Sequence, residues 1–139
     1  MEPMGNAVHA AFVEEMAGQS VAVLGCGPIG LMSVAIANLA GAARIFATDV
    51  NPERLEMAGR MGADVLIDAR GDVVDEIRRA TGGVGVDVVL EMSGAEAAIR
   101  QGFDAVTNGG RVSLLAIPSR PITLDLANEV IFKGLRVYG

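Results

Sequence analysis

The stretch Ser20-Val21-Ala22-Val23-Leu24-Gly25-Cys26-Gly27-Pro28-Ile29-Gly30 decides how the rest of the chain reads. Five residues of strand type run straight into a glycine turn. Pro28 then stands where a helix would begin, a position that suits its fixed φ and does not need the N–H it lacks. The turn has the spacing G-x-G-x-x-G. In that spacing the first glycine permits the tight bend, the second leaves room for a ligand to approach the backbone, and the third lets helix and strand lie close. A helix starting there offers unpaired N–H groups and the positive end of its dipole, which suit a diphosphate. A chain with 18 glycines produces such hexapeptides by chance. The weight therefore comes from context: a strand before the turn and a helix after it.

Asp49 is the companion residue. It closes the second predicted strand, about 20 residues beyond the glycine turn, where the dinucleotide fingerprint has a ribose-binding carboxylate. A carboxylate there accepts from both adenosine ribose hydroxyls and repels a 2′-phosphate, which favours NAD over NADP. Arg54, five residues on, pulls the other way, because an arginine nearby is how a 2′-phosphate is accommodated. As plain structure, Asp49 would be a solvated strand-end residue and Arg54 a surface helix charge. The expected cofactor is NAD, with Gly25, Gly27, Pro28, Ile29 and Gly30 at the diphosphate and Asp49 and Arg54 at the adenosine.

The remaining chain alternates apolar runs with helical ones. A leading helix is expected over 2–16 on Val8, Ala11 and Phe12, ending near Gly18. Strands follow at 20–24, 44–48, 65–67, 86–90, 111–116 and, last, Leu135 to Tyr138. Helices are expected at 28–40, apolar nearly all round and so fully buried, and at 52–61, capped by Asn51. Two more follow at 73–80, capped by Asp72, and at 96–106, with Ile99, Phe103 and Val106 inward. Gly82-Gly83 and Asn108-Gly109-Gly110 read as turns. Residues 122–126 read as extended and 128–132 as weakly helical. The alternation predicts one α/β domain over 1–139, a doubly wound parallel six-stranded sheet of the Rossmann dinucleotide-binding fold, in strand order 3-2-1-4-5-6.

In such sheets ligands bind outside the carboxyl ends of the strands. The loops after the fourth and fifth strands, Glu91-Met92-Ser93-Gly94 and Leu115-Ala116-Ile117-Pro118, are thus the candidates for the nicotinamide half. Ser93 and the backbone of Ala116 and Ile117 are the expected contacts.

Composition excludes several other classes. Lys+Arg 11 against Asp+Glu 17 gives −6, a charge that repels nucleic acid and anionic lipid. With no Trp and 4% aromatic residues, a base-stacking platform is excluded too. No apolar run has the length of a membrane span, and the opening residues do not read as a signal peptide. Cys26 is the single cysteine, so one chain can build neither a disulfide nor a cysteine zinc cluster. This suits a reducing, cytoplasmic setting. Within the turn Cys26 reads as a small filler. His9, the single histidine, has no partners for a general-base role. Asp75, Glu76, Arg78 and Arg79 read as a solvated helix face.

The segments GCGPIGLMSVAIANLAGA (25–42), ATDVNPERLEMAGRMGAD (47–64), DVVLEMSG (87–94) and LLAIPS (114–119) resemble the cofactor domain of zinc-dependent medium-chain dehydrogenases, over essentially the whole chain. The opening Glu2-Pro3-Met4-Gly5-Asn6-Ala7-Val8-His9 is similar to the lead-in of the L-threonine 3-dehydrogenase branch. The resemblance implies NAD-dependent oxidation of a secondary alcohol, for that branch L-threonine to 2-amino-3-oxobutanoate. Catalytic zinc would polarise the alkoxide. It also implies a separate catalytic domain carrying the zinc ligands, absent from this chain, which then reads as a fragment that binds NAD but is inactive alone. Glu2 matches a family glutamate near the zinc but stands here without partner ligands, so no catalytic or metal residue is assigned. A homo-oligomer joined edge to edge through Leu135 to Tyr138 is implied as well.

Three other readings stay open from the residues. One is the cofactor domain of another polyol or alcohol dehydrogenase. Another is a non-enzymatic NAD-sensing module. The third is an S-adenosylmethionine-dependent methyltransferase, which also uses a glycine turn and an acidic strand end.

Overall fold

Val21, Val23, Ile45, Ala47, Val88 and Leu90 point to one face of a sheet, and Ala22, Leu24, Phe46, Val89 and Val112 to the other; all are buried. Strands covered on both faces lose the apolar/polar alternation of an exposed sheet and read as continuous apolar runs. A computed structural model describes residues 2–139, with side chains from residue 4. Its elements are α1 (Glu2–Ala11), β1 (Ser20–Leu24), α2 (Pro28–Leu39), β2 (Arg44–Asp49), α3 (Pro52–Arg60), β3 (Val65–Asp68), α4 (Val73–Ala80), β4 (Val86–Glu91), α5 (Glu96–Ala105), β5 (Val106–Leu114), a π-helical turn (Ala127–Ile131) and β6 (Arg136–Tyr138). The six strands are parallel, in the order β3-β2-β1-β4-β5-β6. This is the doubly wound arrangement expected. Helices α1, α2 and α3 pack on the first face, and α4 and α5 on the second.

Local chemistry sets the boundaries. Asn51 caps α3, its side chain accepting from the Glu53 and Arg54 N–H groups, and Asp72 caps α4 through the Asp75 N–H. Each such cap stabilises by about 1 kcal/mol. Strands β1 and β4 meet at the centre of the sheet, Leu24 opposite Glu91. Their amino ends are clamped: Asp87 Oδ2 accepts from the Ser20 N–H at 2.9 Å and its hydroxyl at 3.0 Å, and Ser20 Oγ accepts from the Asp87 N–H at 3.0 Å.

Five expectations need correction. The leading helix stops at Ala11, not Met16, and buries Ala7, Ala10 and Ala11 while Val8 and Phe12 stay exposed. Small residues let α1 approach α2 closely, and the Arg111 guanidinium donates to the Ala11 carbonyl at 2.7 Å, which satisfies the helix end there. Helix α2 is not fully buried: Leu39 is 87% exposed. Strand β5 begins at Val106 and ends at Leu114. Val106 is therefore a strand residue facing Val86, and the Asn108-Gly109-Gly110 segment is an irregularity within the strand rather than a turn before it. Residues 122–126 form no strand, and the helical segment after them is a π turn starting at Ala127. Leu135 precedes β6 rather than opening it.

Candidate functional site

The carboxyl ends of β1, β2, β4 and β5 bring the glycine turn, Asp49 and the loop after Glu91 to one rim. Gly25 has φ +93, and a Cβ on it would stand 2.7 Å from the Ser93 Cβ. Only glycine fits that backbone and that contact. A Cβ on Gly30 would fall 1.8 Å from the Gly25 carbonyl oxygen, so the start of α2 lies directly on the turn. Gly27 differs: a Cβ there would meet nothing within 4 Å. The space before its backbone is open, as the approach of a diphosphate requires.

No side chain caps α2, whose N-cap is Gly27. The first intrahelical bond runs from the Leu31 N–H to the Gly27 carbonyl. By helix geometry the Ile29 and Gly30 N–H groups are then left for an outside acceptor, and Pro28 has none to leave.

Asp49 is nearly buried and is held by backbone. Its Oδ2 accepts from the Cys26 N–H at 2.8 Å and its Oδ1 from the Asn51 N–H at 2.8 Å. Each carboxylate oxygen can accept more than one bond, so capacity for two hydroxyls remains. The Cys26 thiol is buried under the turn, 3.5 Å from the Thr48 carbonyl oxygen. Burial first, and the Asp49 charge second, push it up to about 12, with Arg54 opposing. The thiol is thus a protonated filler at neutral pH.

Gly25, Asp49, Arg54 and Ser93 line one cleft of about 250 Å³. Ser93 thus lines the same cleft as Asp49 and Arg54, while Ala116 and Ile117 stand on the other side of its loop. Those two do not line this cleft. They lie against Gly94, whose Cβ would meet the Ile117 carbonyl oxygen at 3.0 Å and the Ala116 Cβ at 3.3 Å. Gly27, Pro28 and Ile29 form the adjoining helix start. Ser93 Oγ donates to Glu91 Oε1 at 2.5 Å and accepts from the Ala95 N–H at 3.1 Å.

Sequence reasoning missed Val50, Ala69, Ala97, Ala98 and Gln101, which with Thr48 and Ala95 complete the cleft wall. It also missed the part played by Glu91. Uncharged residues of loops and helix faces carry no binding signal in sequence, but a glutamate closing an apolar strand does.

A family model described as zinc-binding dehydrogenase matches residues 28–139. The chain belongs to that family. L-threonine 3-dehydrogenase of Symbiobacterium thermophilum is 53% identical over 139 residues, covering 99% of this chain and 40% of the relative. The enzyme of the same name from Bacillus velezensis is 52% identical over 140 residues, covering 99% and 40%. Among solved structures, a protein described as a zinc-binding dehydrogenase from Sinorhizobium meliloti, bound to NADP, superposes with TM-score 0.91 at 31% identity, covering 99% of this chain and 42% of that one. 2R,3R-butanediol dehydrogenase from Bacillus subtilis superposes with TM-score 0.90 at 35% identity, covering 99% and 40%. This zinc-binding dehydrogenase chain therefore spans about 40% of the length of the curated relatives it matches. Among its described residues, no group of three or more His, Cys, Asp and Glu side chains is placed to hold a metal ion. The Glu2 side chain lies outside the described residues. No helix among them is long and apolar enough to cross a membrane.

Proposed function

We propose that this chain is the NAD-binding half of a dehydrogenase that oxidises L-threonine to 2-amino-3-oxobutanoate. The observation that carries the cofactor reading is the pairing of an open Gly27 at an uncapped helix start with a buried carboxylate one strand away. The substrate rests on the two L-threonine 3-dehydrogenases named above. When bound, NAD supplies a hydride acceptor at its nicotinamide ring.

The chain's own residues bind and orient. Ile29 and Gly30 N–H groups receive the diphosphate, helped by the α2 dipole. Gly25 and Gly27 keep side chains out of its way, and Pro28 presets the helix start. Asp49 accepts from the adenosine ribose, with Arg54 and Ser93 along the same cleft. Ala116 and Ile117 offer backbone to the nicotinamide side, and Ile117 is 91% exposed at that rim. The zinc chemistry belongs to a catalytic domain outside these residues, so the chain alone binds cofactor and turns over nothing. It pairs with a second copy through β6, where Val137 is exposed, and works in the cytoplasm.

A second reading is another polyol dehydrogenase of the family, favoured by the likeness to 2R,3R-butanediol dehydrogenase. NADP in place of NAD is favoured by Arg54 and by the NADP-bound relative. Titration calorimetry with NADH, NADPH and S-adenosylmethionine tests these together. Tightest binding of NADH supports the proposal, tightest binding of NADPH replaces the cofactor, and binding of S-adenosylmethionine alone overturns it. Sedimentation showing a monomer at high concentration overturns the β6 pairing.

A further inference from the structure

Glu91 ends β4 with its side chain 0% exposed, and no cation pairs with it among the described residues. Its charge is met instead by the loop that follows. Oε1 accepts from the Ser93 N–H at 2.9 Å, the Ser93 hydroxyl at 2.5 Å and the Gly94 N–H at 3.2 Å, and Oε2 accepts from the Gly94 N–H at 3.1 Å. Burying a carboxylate is costly unless such bonds compensate it. An apolar residue would fill a strand end at less expense if packing were the whole requirement.

The loop that Glu91 grips touches the candidate site on two sides. Ser93 stands against Gly25, where no Cβ could fit between them, and Gly94 stands against Ala116 and Ile117. The Ser93 hydroxyl also accepts from the Ala95 N–H, which links Glu91 to the N-cap of α5. The Glu91 main chain joins in: the Leu115 N–H donates to its carbonyl at 3.1 Å, which ties the β5 loop to the same residue.

We infer that Glu91 is a positioning residue. Its buried carboxylate fixes the Ser93-Gly94 loop and through it sets the gap between the glycine turn and the Ala116-Ile117 loop, across which the cofactor lies. The inference rests on the dinucleotide reading above. Glu91→Ala removes every acceptor. Glu91→Gln keeps one oxygen for Ser93 but turns an N–H₂ toward the Gly94 N–H, so it restores part of the grip. Ile77→Val, in the buried core on α4 and outside the cleft lining, serves as a destabilised control.

The experiment measures NADH affinity by calorimetry at a temperature where circular dichroism finds every variant fully folded. The expected result is a loss of tenfold or more for Glu91→Ala, a smaller loss of about threefold for Glu91→Gln, and wild-type affinity within twofold for Ile77→Val. A merely structural glutamate would lower the melting temperature and leave the affinity of the folded protein with the control. Glu91→Ala binding as tightly as Ile77→Val overturns the inference alone. A wild-type chain that takes up no NADH overturns the cofactor reading and the inference with it. Should Glu91→Ala not fold, Glu91→Gln decides: a threefold loss supports the role, and undiminished affinity overturns it.

Discussion

Asp49 and Cys26 join the carboxyl ends of the neighbouring strands β2 and β1, the carboxylate of one accepting the backbone N–H of the other at 2.8 Å. The residue proposed to hold the ribose therefore also holds the turn proposed to cradle the diphosphate. Asp49→Asn should weaken NADH binding by at least about tenfold, since a hydrogen bond to a charged acceptor contributes roughly 1.5–3 kcal/mol. It should shift preference toward NADPH by removing the charge that repels a 2′-phosphate. The melting temperature should fall as well, because the Cys26 and Asn51 N–H groups lose an ionised acceptor. Parallel titrations with both cofactors check this; an unchanged preference contradicts it.

Gly27 and Gly30 should separate binding from folding. A methyl at Gly30 meets the Gly25 carbonyl oxygen at 1.8 Å, and backbone cannot swing away. Gly30→Ala should cost about 3 kcal/mol or more in stability, read by urea unfolding. A methyl at Gly27 meets only open space, so Gly27→Ala should cost no more than about 1 kcal/mol, the ordinary loss of a good N-cap residue, yet lose NADH affinity at least tenfold.

The Cys26 thiol offers a test by pH. Its value is raised from 9.0 to about 12, first by burial and then by Asp49. The folded state therefore holds the proton more tightly than the unfolded one. Stability from this group is complete below pH 9 and declines as pH rises toward about 12. At pH 8 a thiol reagent should label Cys26 far faster in denaturant than in the native chain. Cys26→Ser should flatten the alkaline decline seen in thermal melts.

The Arg111 guanidinium, almost wholly buried, ties β5 to the end of α1 through the Ala11 carbonyl. Burial pulls its pKa down, and Glu14 and Tyr138 oppose that pull. Arg111→Ala should cost about 3 kcal/mol by opening a cavity and freeing a helix carbonyl. Arg111→Met, which fills the volume, should cost less. Hydrogen exchange in α1 should rise in both.

Much of this was legible in the sequence for physical reasons. Val21 to Leu24 and Val86 to Leu90 read as strands because they are short apolar runs, broken only by Asp87, and Asn51 and Asp72 announced their helices by cap chemistry. What failed to read was decided by distant partners. Val8 and Phe12 have helical spacing, yet Ala7 and Ala11 took the inner face because α2 demands close approach. Val106 fitted the α5 stripe until its pairing with Val86 claimed it for β5. At the site, the close contacts of Gly25 and Gly30 follow from the turn spacing. That Ser93 lines the same cleft as Asp49 does not follow from strand order, which cannot tell how far a loop leans. The grip of Glu91 on that loop is a matter of tertiary distance, visible only once β4 and its loop are in place.

The clamp of Ser20 on Asp87 has a reach beyond its own end of the sheet. Five residues of strand, at about 3.3 Å each, separate it from the glycine turn, roughly 16 Å away. If β1 slid by one residue against β4, the two lips of the binding mouth would be offset by about 3.3 Å, too far for any ligand to bridge both. A serine and an aspartate with no business near the chemistry thus hold the aperture true, much as a hinge pin keeps a distant latch in line.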